Sequence, residues 1–352
     1  MRAAKNLLIP ITTISALALL ACGYTGRPDY GGEGTDSGID PGLDGGADGT
    51  GAGAPGGPGN PLKLDAPPDE SGMVDAGDVS HWGCEQVDLL FVIDNSGSMD
   101  DKQVNLVNSV PSFISEIQTQ LADADSYHVG VITSDEYEYN DGCDDEGAMV
   151  ITTGGSDSSD AVCGPYAEGY SYMTEFDDLD IAFPCAAKVG TDGDGDERPM
   201  QTMQAALSPE MNEPGGCNEG FLRDDALLVI VIITDEEDDH EAEGCSENSY
   251  PGSSGDPPDW FEEVVEAKGG VEQNVVVLAL VGPPGPDPAT CPAIDKCDSD
   301  FDGAEVAERI VSFTTMFTNG FVGRVCEPSY GEFFSEAVGV ISTACENFEP
   351  IG

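Results

Sequence analysis

Three oxygen-bearing side chains stand at alternate positions in Asp94-Asn95-Ser96-Gly97-Ser98, a spacing that lets one tight loop turn a carboxylate and two hydroxyls toward a single point. Gly97 is expected to supply the backbone freedom for that convergence. Oxygen donors suit hard divalent cations. Two further acidic clusters, Asp192-x-Asp194-x-Asp196 and Asp298-x-Asp300-x-Asp302-Gly303, start as calcium loops do and are carried as extra calcium candidates. Neither is an EF-hand, because the twelfth position, which needs an acid, holds Met203 in one and Arg309 in the other. The run Glu236 to Asp239 reads as a solvated acidic loop. With only His81, His128 and His240 and no Cys-x-x-Cys pair, zinc has little to bind.

Such a loop needs elements that hold it. The apolar run Leu89-Leu90-Phe91-Val92-Ile93 before Asp94 reads as a strand buried on both faces, the mark of a parallel sheet. After it, Val104, Val107, Val110, Phe113, Ile114 and Ile117 recur at helical spacing within an amphipathic helix from Lys102 to Leu121. Ligand sites of open α/β sheets lie at such carboxyl ends of strands. A second buried run, Leu227 to Ile233, also ends on an acid, Asp235 after Thr234. Strands over Tyr127 to Thr133 and Val275 to Val281, and helices over Met200 to Leu207, Trp260 to Lys268, Ala304 to Phe317 and Gly331 to Cys345, continue the alternation. The expected fold is α/β, a Rossmann-like doubly wound, mostly parallel sheet flanked by helices, with disulfide-stapled loop insertions. One insertion covers 134–188, with an edge strand at Ala148 to Thr153 and contact groups at Tyr137, Tyr139, Tyr166, Tyr170 and Tyr172. His128 is expected to be a partly exposed strand residue.

Phe91-Val92-Ile93-Asp94-Asn95-Ser96-Gly97-Ser98-Met99 resembles the first motif of the von Willebrand factor A (VWA) domain, whose metal-ion-dependent adhesion site uses a D-x-S-x-S loop. Thr234-Asp235-Glu236-Glu237-Asp238-Asp239 is similar to the corresponding later loop of bacterial lipid-anchored members. The resemblance covers roughly Cys84 to Pro350 and implies a binding protein. In the family mechanism Ser96 and Ser98 touch the metal, Asp94 and Asp235 act mostly through water, and an open position takes an acidic group of a protein partner. Magnesium is the usual occupant, with calcium or manganese as substitutes. Asp100 and Asp101 belong to the outer shell or the helix start. Adhesive members add a Thr from a Gly-rich loop, and here the sequence departs: that loop reads Gly190-Thr191-Asp192-Gly193-Asp194-Gly195-Asp196-Glu197. Both Thr191 and Glu197 are candidates, and counting back from the Met200 helix favours Glu197. A glutamate there would neutralise part of the cation's charge and weaken its pull on a partner's carboxylate.

The basic start Met1 to Lys5, the apolar stretch Leu7 to Leu20 and Leu19-Leu20-Ala21-Cys22 resemble a bacterial lipoprotein leader over 1–21, with Cys22 acylated. Gly23 after that cysteine points to the outer membrane of the cell envelope. Removing Cys22 from the 11 cysteines leaves ten for five disulfides in an oxidising setting, with Cys143–Cys163 and Cys291–Cys297 expected as local pairs. Residues 22–82 read as a disordered tether: between Gly23 and Ser80 stand 17 Gly and 7 Pro, too many for a packed core. Such a coil spans roughly 40 to 45 Å. The domain itself is expected over 83–352.

Twelve basic residues against 68 acidic give a net charge of −56, which excludes nucleic acid and anionic lipid surfaces as partners. The membrane enters only through the lipid anchor. An enzyme is disfavoured: haloacid-dehalogenase-type phosphatases want a second Asp where Ser96 stands, and no nucleophile elbow is visible. The rival to metal-bridged adhesion is a structural or calcium-buffering surface protein.

Overall fold

The computed structural model describes residues 84–120, 126–140, 142–193, 197–238, 252–285, 291–292 and 303–351, all within the compact unit Met73–Gly352. The leader, Cys22, the tether, Asp194, Asp196, Asp298, Asp300, Asp302, Cys245 and Cys297 lie outside them.

Six strands form one sheet: β1 (Gln86–Ile93), β2 (Ser126–Thr133), β3 (Met173–Thr174), β4 (Leu227–Ile233), β5 (Val275–Val281) and β6 (Gly320–Arg324), in the spatial order β3-β2-β1-β4-β5-β6. Every pairing is parallel except β2 with the edge strand β3. The helices are α1 (Asp100–Gln120), α2 (Leu179–Ala187), α3 (Pro199–Leu207), α4 (Pro209–Asn212), α5 (Pro257–Ala267), α6 (Glu308–Thr314) and α7 (Gly331–Glu346). Alternate residues of β1 serve opposite layers. Leu89, Phe91 and Ile93 join the core that includes Phe113 of α1, Phe183 of α2 and Phe334 of α7, while Leu90 and Val92 join Met203 of α3, Trp260 of α5 and Phe313 of α6. With both faces covered, β1, β4 and β5 have no reason to alternate polar and apolar residues, which is why they read as continuous apolar runs. This is the expected α/β architecture. No helix among the described residues is long and apolar enough to cross a membrane.

Several expectations need correcting. In α1 the stripe facing the core is Leu106, Val110, Phe113, Ile114 and Ile117, and Val104 lies off it, 41% exposed. Ala148 to Thr153 is no sheet strand. Val150 donates its N–H to Val131 O at 2.8 Å, but the Asn140 amide oxygen takes the Ile151 and Thr152 N–H groups at 2.9 and 3.3 Å and stops a ladder from growing. The edge belongs to β3, and α2 lies in the same segment, so 134–188 completes sheet and core as well as forming loops. Its tyrosines are mostly structural: Tyr137, Tyr166 and Tyr172 are buried, and the Tyr137 and Tyr166 hydroxyls donate to Val189 O and Val150 O. Helix α6 is shorter than its apolar pattern, because the N–H groups of Ala304, Glu305 and Ala307 donate to Pro292, Asp235 and Gly282 carbonyls.

Among the described residues four disulfides are formed: Cys84–Cys345, Cys143–Cys217, Cys163–Cys185 and Cys291–Cys326. Both expected local pairs are therefore wrong. Proximity in the folded chain sets the partners, and Cys143 lies against the loop after α4 while Cys291 meets the end of β6.

Candidate metal centre

Chain order departs from spatial order beside β1, whose neighbours are β2 and β4. There the carboxyl ends of β1 and β4 stand level, Ile93 opposite Ile233, and the next residues are Asp94 and Thr234-Asp235. Asp94 donates its N–H to Ile233 O at 3.0 Å. Its carboxylate is held on both sides, Oδ1 accepting the Ser96 N–H at 2.7 Å and Oδ2 the Thr234 hydroxyl at 2.6 Å. These bonds curl the loop so that Ser96 and Ser98 come together, their hydroxyl oxygens 3.1 Å apart, and Ser98 donates to Asp235 Oδ1 at 2.8 Å. All of these residues are buried. A Cβ at Gly97 would meet nothing, and its backbone has no left-handed φ, so the freedom expected of it is not used.

The third contribution comes from the loop before α3. Glu197, 3% exposed, is set there by Arg198, whose N–H donates to Ser134 O at 3.1 Å. Neither Glu197 carboxylate oxygen has a hydrogen-bond partner, and Asp235 Oδ2 accepts none either, its contact being the Lys102 ammonium at 3.1 Å. Thr191 is elsewhere: its hydroxyl donates to Asp157 Oδ2 at 2.9 Å in an exposed pair. Asp192 accepts the Ser156 N–H at 2.8 Å, which holds its carboxyl below the usual range. Close approach fixes one glycine in this loop. A Cβ on Gly193 would fall 2.5 Å from Asn95 Nδ2, and the Gly193 N–H donates to Asn95 O at 2.8 Å.

Electrostatics follow from burial. The Asp94 carboxyl is pushed above its ordinary range first by burial and then by the Asp235 charge, with Thr234 and Ser96 only partly offsetting this. Asp235 is raised by burial despite Lys102 and Ser98. Glu197 is raised well above the usual value by burial, then by Asp94 and Glu236, and the nearby Ser134 hydroxyl, which donates to Asn95 Oδ1 at 3.2 Å, does not cancel this. For Lys102 burial works against the charge, but Asp235 and Asp101 more than compensate and keep the ammonium charged.

Asp235 raises Asp94 and Asp94 raises Glu197, whose two oxygens have no hydrogen bond, and buried carboxylates so arranged are costly unless further positive charge joins them. The donors are all oxygen, and two are hydroxyls. The set therefore fits a hard divalent cation. Among the described residues no three His, Cys, Asp or Glu side chains converge on one metal position, and this candidate depends on serine for that reason.

Four supporting residues escaped the sequence reading. Thr234 holds Asp94. Gln103, buried in α1, donates to Asp94 O at 3.0 Å and Gly190 O at 2.7 Å and accepts from Gly190 N at 3.1 Å, tying two site loops together. Asn95 donates to Asp135 Oδ1 at 3.0 Å. Lys102 binds Ser98 O at 3.0 Å and Asp101 Oδ1 at 3.0 Å besides Asp235. The side chain of Asp101 is otherwise exposed at the start of α1. The expected solvated run is also corrected. Asp238 is buried and accepts from Met200 N at 3.0 Å and Ser253 Oγ at 2.6 Å, and Glu237 accepts from Arg309 N at 2.6 Å, so these acids anchor the starts of α3 and α6. Beside the site a cleft of about 510 Å³ is bordered by Asp135, Glu136, Glu138, Asp144, Asp192 and Arg198.

No family model matches the chain, and no curated protein matches it. Among solved structures it is similar to proximal thread matrix protein 1 from the mussel byssus, at 13% identity and a TM-score of 0.34, covering 74% of this chain and 48% of that one. It is also similar to the pilus adhesin SpaC from Lactobacillus rhamnosus GG in its open conformation, at 14% identity and a TM-score of 0.35, covering 74% of this chain and 30% of that one. Both likenesses are too loose to bear on function.

Proposed function

We propose that this chain is an exported, lipid-anchored binding protein of von Willebrand factor A type that holds a divalent cation and, through it, an acidic group of a protein partner. The observation that carries the reading is the Glu197 carboxylate, buried with both oxygens unpartnered and pushed toward the neutral form in part by Asp94. Asp94, Ser96, Ser98, Glu197 and Asp235 would hold the cation, with Glu197 in preference to Thr191, whose hydroxyl is engaged by Asp157. Magnesium is the proposed occupant, with calcium or manganese as substitutes. A bound cation would supply an electrophilic centre for a partner's carboxylate oxygen. Hydrogen bonds link the Ser96 and Ser98 hydroxyls with the Asp94 and Asp235 side of the loop, and the buried Glu197 carboxylate feels the Asp94 charge, which supports the reading. No catalytic step is proposed.

The lipid anchor rests on the leader ending at Cys22, and the outer-membrane, cell-envelope placement on Gly23. Four disulfides support an oxidising compartment. The acidic cleft favours a second reading, calcium uptake for stability with no protein ligand. Capture of envelope proteins on the immobilised chain, with magnesium and with chelator, separates the two. The adhesion reading expects a partner retained with magnesium, released by chelator and not retained by Asp94→Ala. Retention by Asp94→Ala equal to the parent, or none by either, contradicts it.

A further inference from the structure

Glu197 poses a problem for a site meant to attract an acidic group. Three carboxylates, Asp94, Asp235 and Glu197, outweigh a divalent cation by one negative charge, and Asp135 and Glu236 add to the field around Glu197. Among the described residues one cationic group forms an ion pair with any of these three acids: the Lys102 ammonium, 3.1 Å from Asp235 Oδ2. It is fixed there by Ser98 O and Asp101 Oδ1, each at 3.0 Å, and its side chain is 4% exposed. In a chain with 12 basic residues among 68 acidic ones, a lysine buried against the site's last carboxylate is a singular placement.

Resting on the metal-binding reading above, we propose that Lys102 is a resident counter-charge that sets the specificity of the site. With it, the three carboxylates, the ammonium and a divalent cation sum to zero, the exposed Asp101 carboxylate lying outside this buried set, so an incoming carboxylate meets a nearly neutral centre; without it, the loaded site is anionic and turns acidic ligands away. Lys102 thus does two opposed things. It competes with the cation for Asp235 and weakens metal binding, and it removes the repulsion that Glu197 would impose on an acidic partner. Opposite effects on metal and ligand separate this role from a merely structural one.

The experiment compares the parent with Lys102→Gln, Lys102→Met and the charge-keeping Lys102→Arg. Magnesium affinity is read by calorimetry, and acetate binding by the broadening of acetate resonances on manganese-loaded protein. Both neutral variants should bind magnesium at least about tenfold more tightly while acetate affinity falls by about tenfold, and Lys102→Arg should stay within about threefold of the parent on both scales. Should one neutral variant fail to fold, the other decides. Magnesium affinity unchanged or weaker in the neutral variants, or acetate bound as well as by the parent, overturns the role of Lys102 alone. A parent with no magnesium site sensitive to Asp94→Ala overturns the metal-binding reading and this inference with it.

Discussion

Glu197 shows what a single residue costs and what it implies. Its folded-state value lies above that of the unfolded chain, so the fold holds the proton more tightly. Stability is therefore lost as pH rises above the ordinary glutamate range, by about 1.4 kcal/mol per pH unit until the folded group ionises. Glu197→Gln removes that loss. In chelator, urea unfolding should find the variant more stable than the parent at pH 7, with the gain fading as the pH falls to the ordinary glutamate range. With magnesium added the order should narrow or reverse, because only the parent keeps the carboxylate. A gain that ignores pH would mean that Glu197 is paired after all.

Elements explain which parts of this architecture are legible in the sequence. β1, β4 and β5 lie between two helical layers, so their apolar runs declare them, and Asp94 and Asp235 are conspicuous where those runs stop. β6 is silent because Gly320 and Gly323 interrupt it. A Cβ on Gly323 would fall 2.2 Å from Phe333 Cδ2, so packing demands what the strand pattern forbids. β3 is two residues long, too short for any period. Lys102 stands in the sequence only as the start of the helical pattern, and only the packing of α1 against the site shows it buried. The far end of the same strands carries a second buried charge group. Asp88 in β1 is pushed up to about 6 by burial despite its 2.6 Å pair with Arg223, and His128 in β2, tilted against the Tyr172 ring, is pushed down to about 4 by burial and then by Arg223. A depressed histidine favours the unfolded chain when protons are plentiful; its penalty is complete below about 4 and gone above 6.5. Relative to His128→Asn, the parent should thus gain up to about 3 kcal/mol between pH 4 and pH 6.5 in denaturant titrations. A difference flat across that window would show that the ring is charged in the fold.

At the scale of the whole molecule, Cys84–Cys345 ties the segment entering β1 to the end of α7 across 261 residues. Closing so long a loop restricts the unfolded chain, and the paired change Cys84→Ser with Cys345→Ser should cost up to about 5 kcal/mol, read as a lower urea midpoint. A loss below about 1 kcal/mol would mean that strain or residual structure cancels the constraint. The net charge of −56 repels itself throughout, and buried acids at the sheet edge concentrate that repulsion where β1 meets β4. A cation there would relieve it. The direct test is calorimetric titration of magnesium into the full chain beside Asp94→Ala. One site of micromolar to millimolar affinity in the parent, absent in the variant, is the predicted result; equal heats in both, or weak multiple binding untouched by the substitution, would contradict a cation held at the ends of β1 and β4.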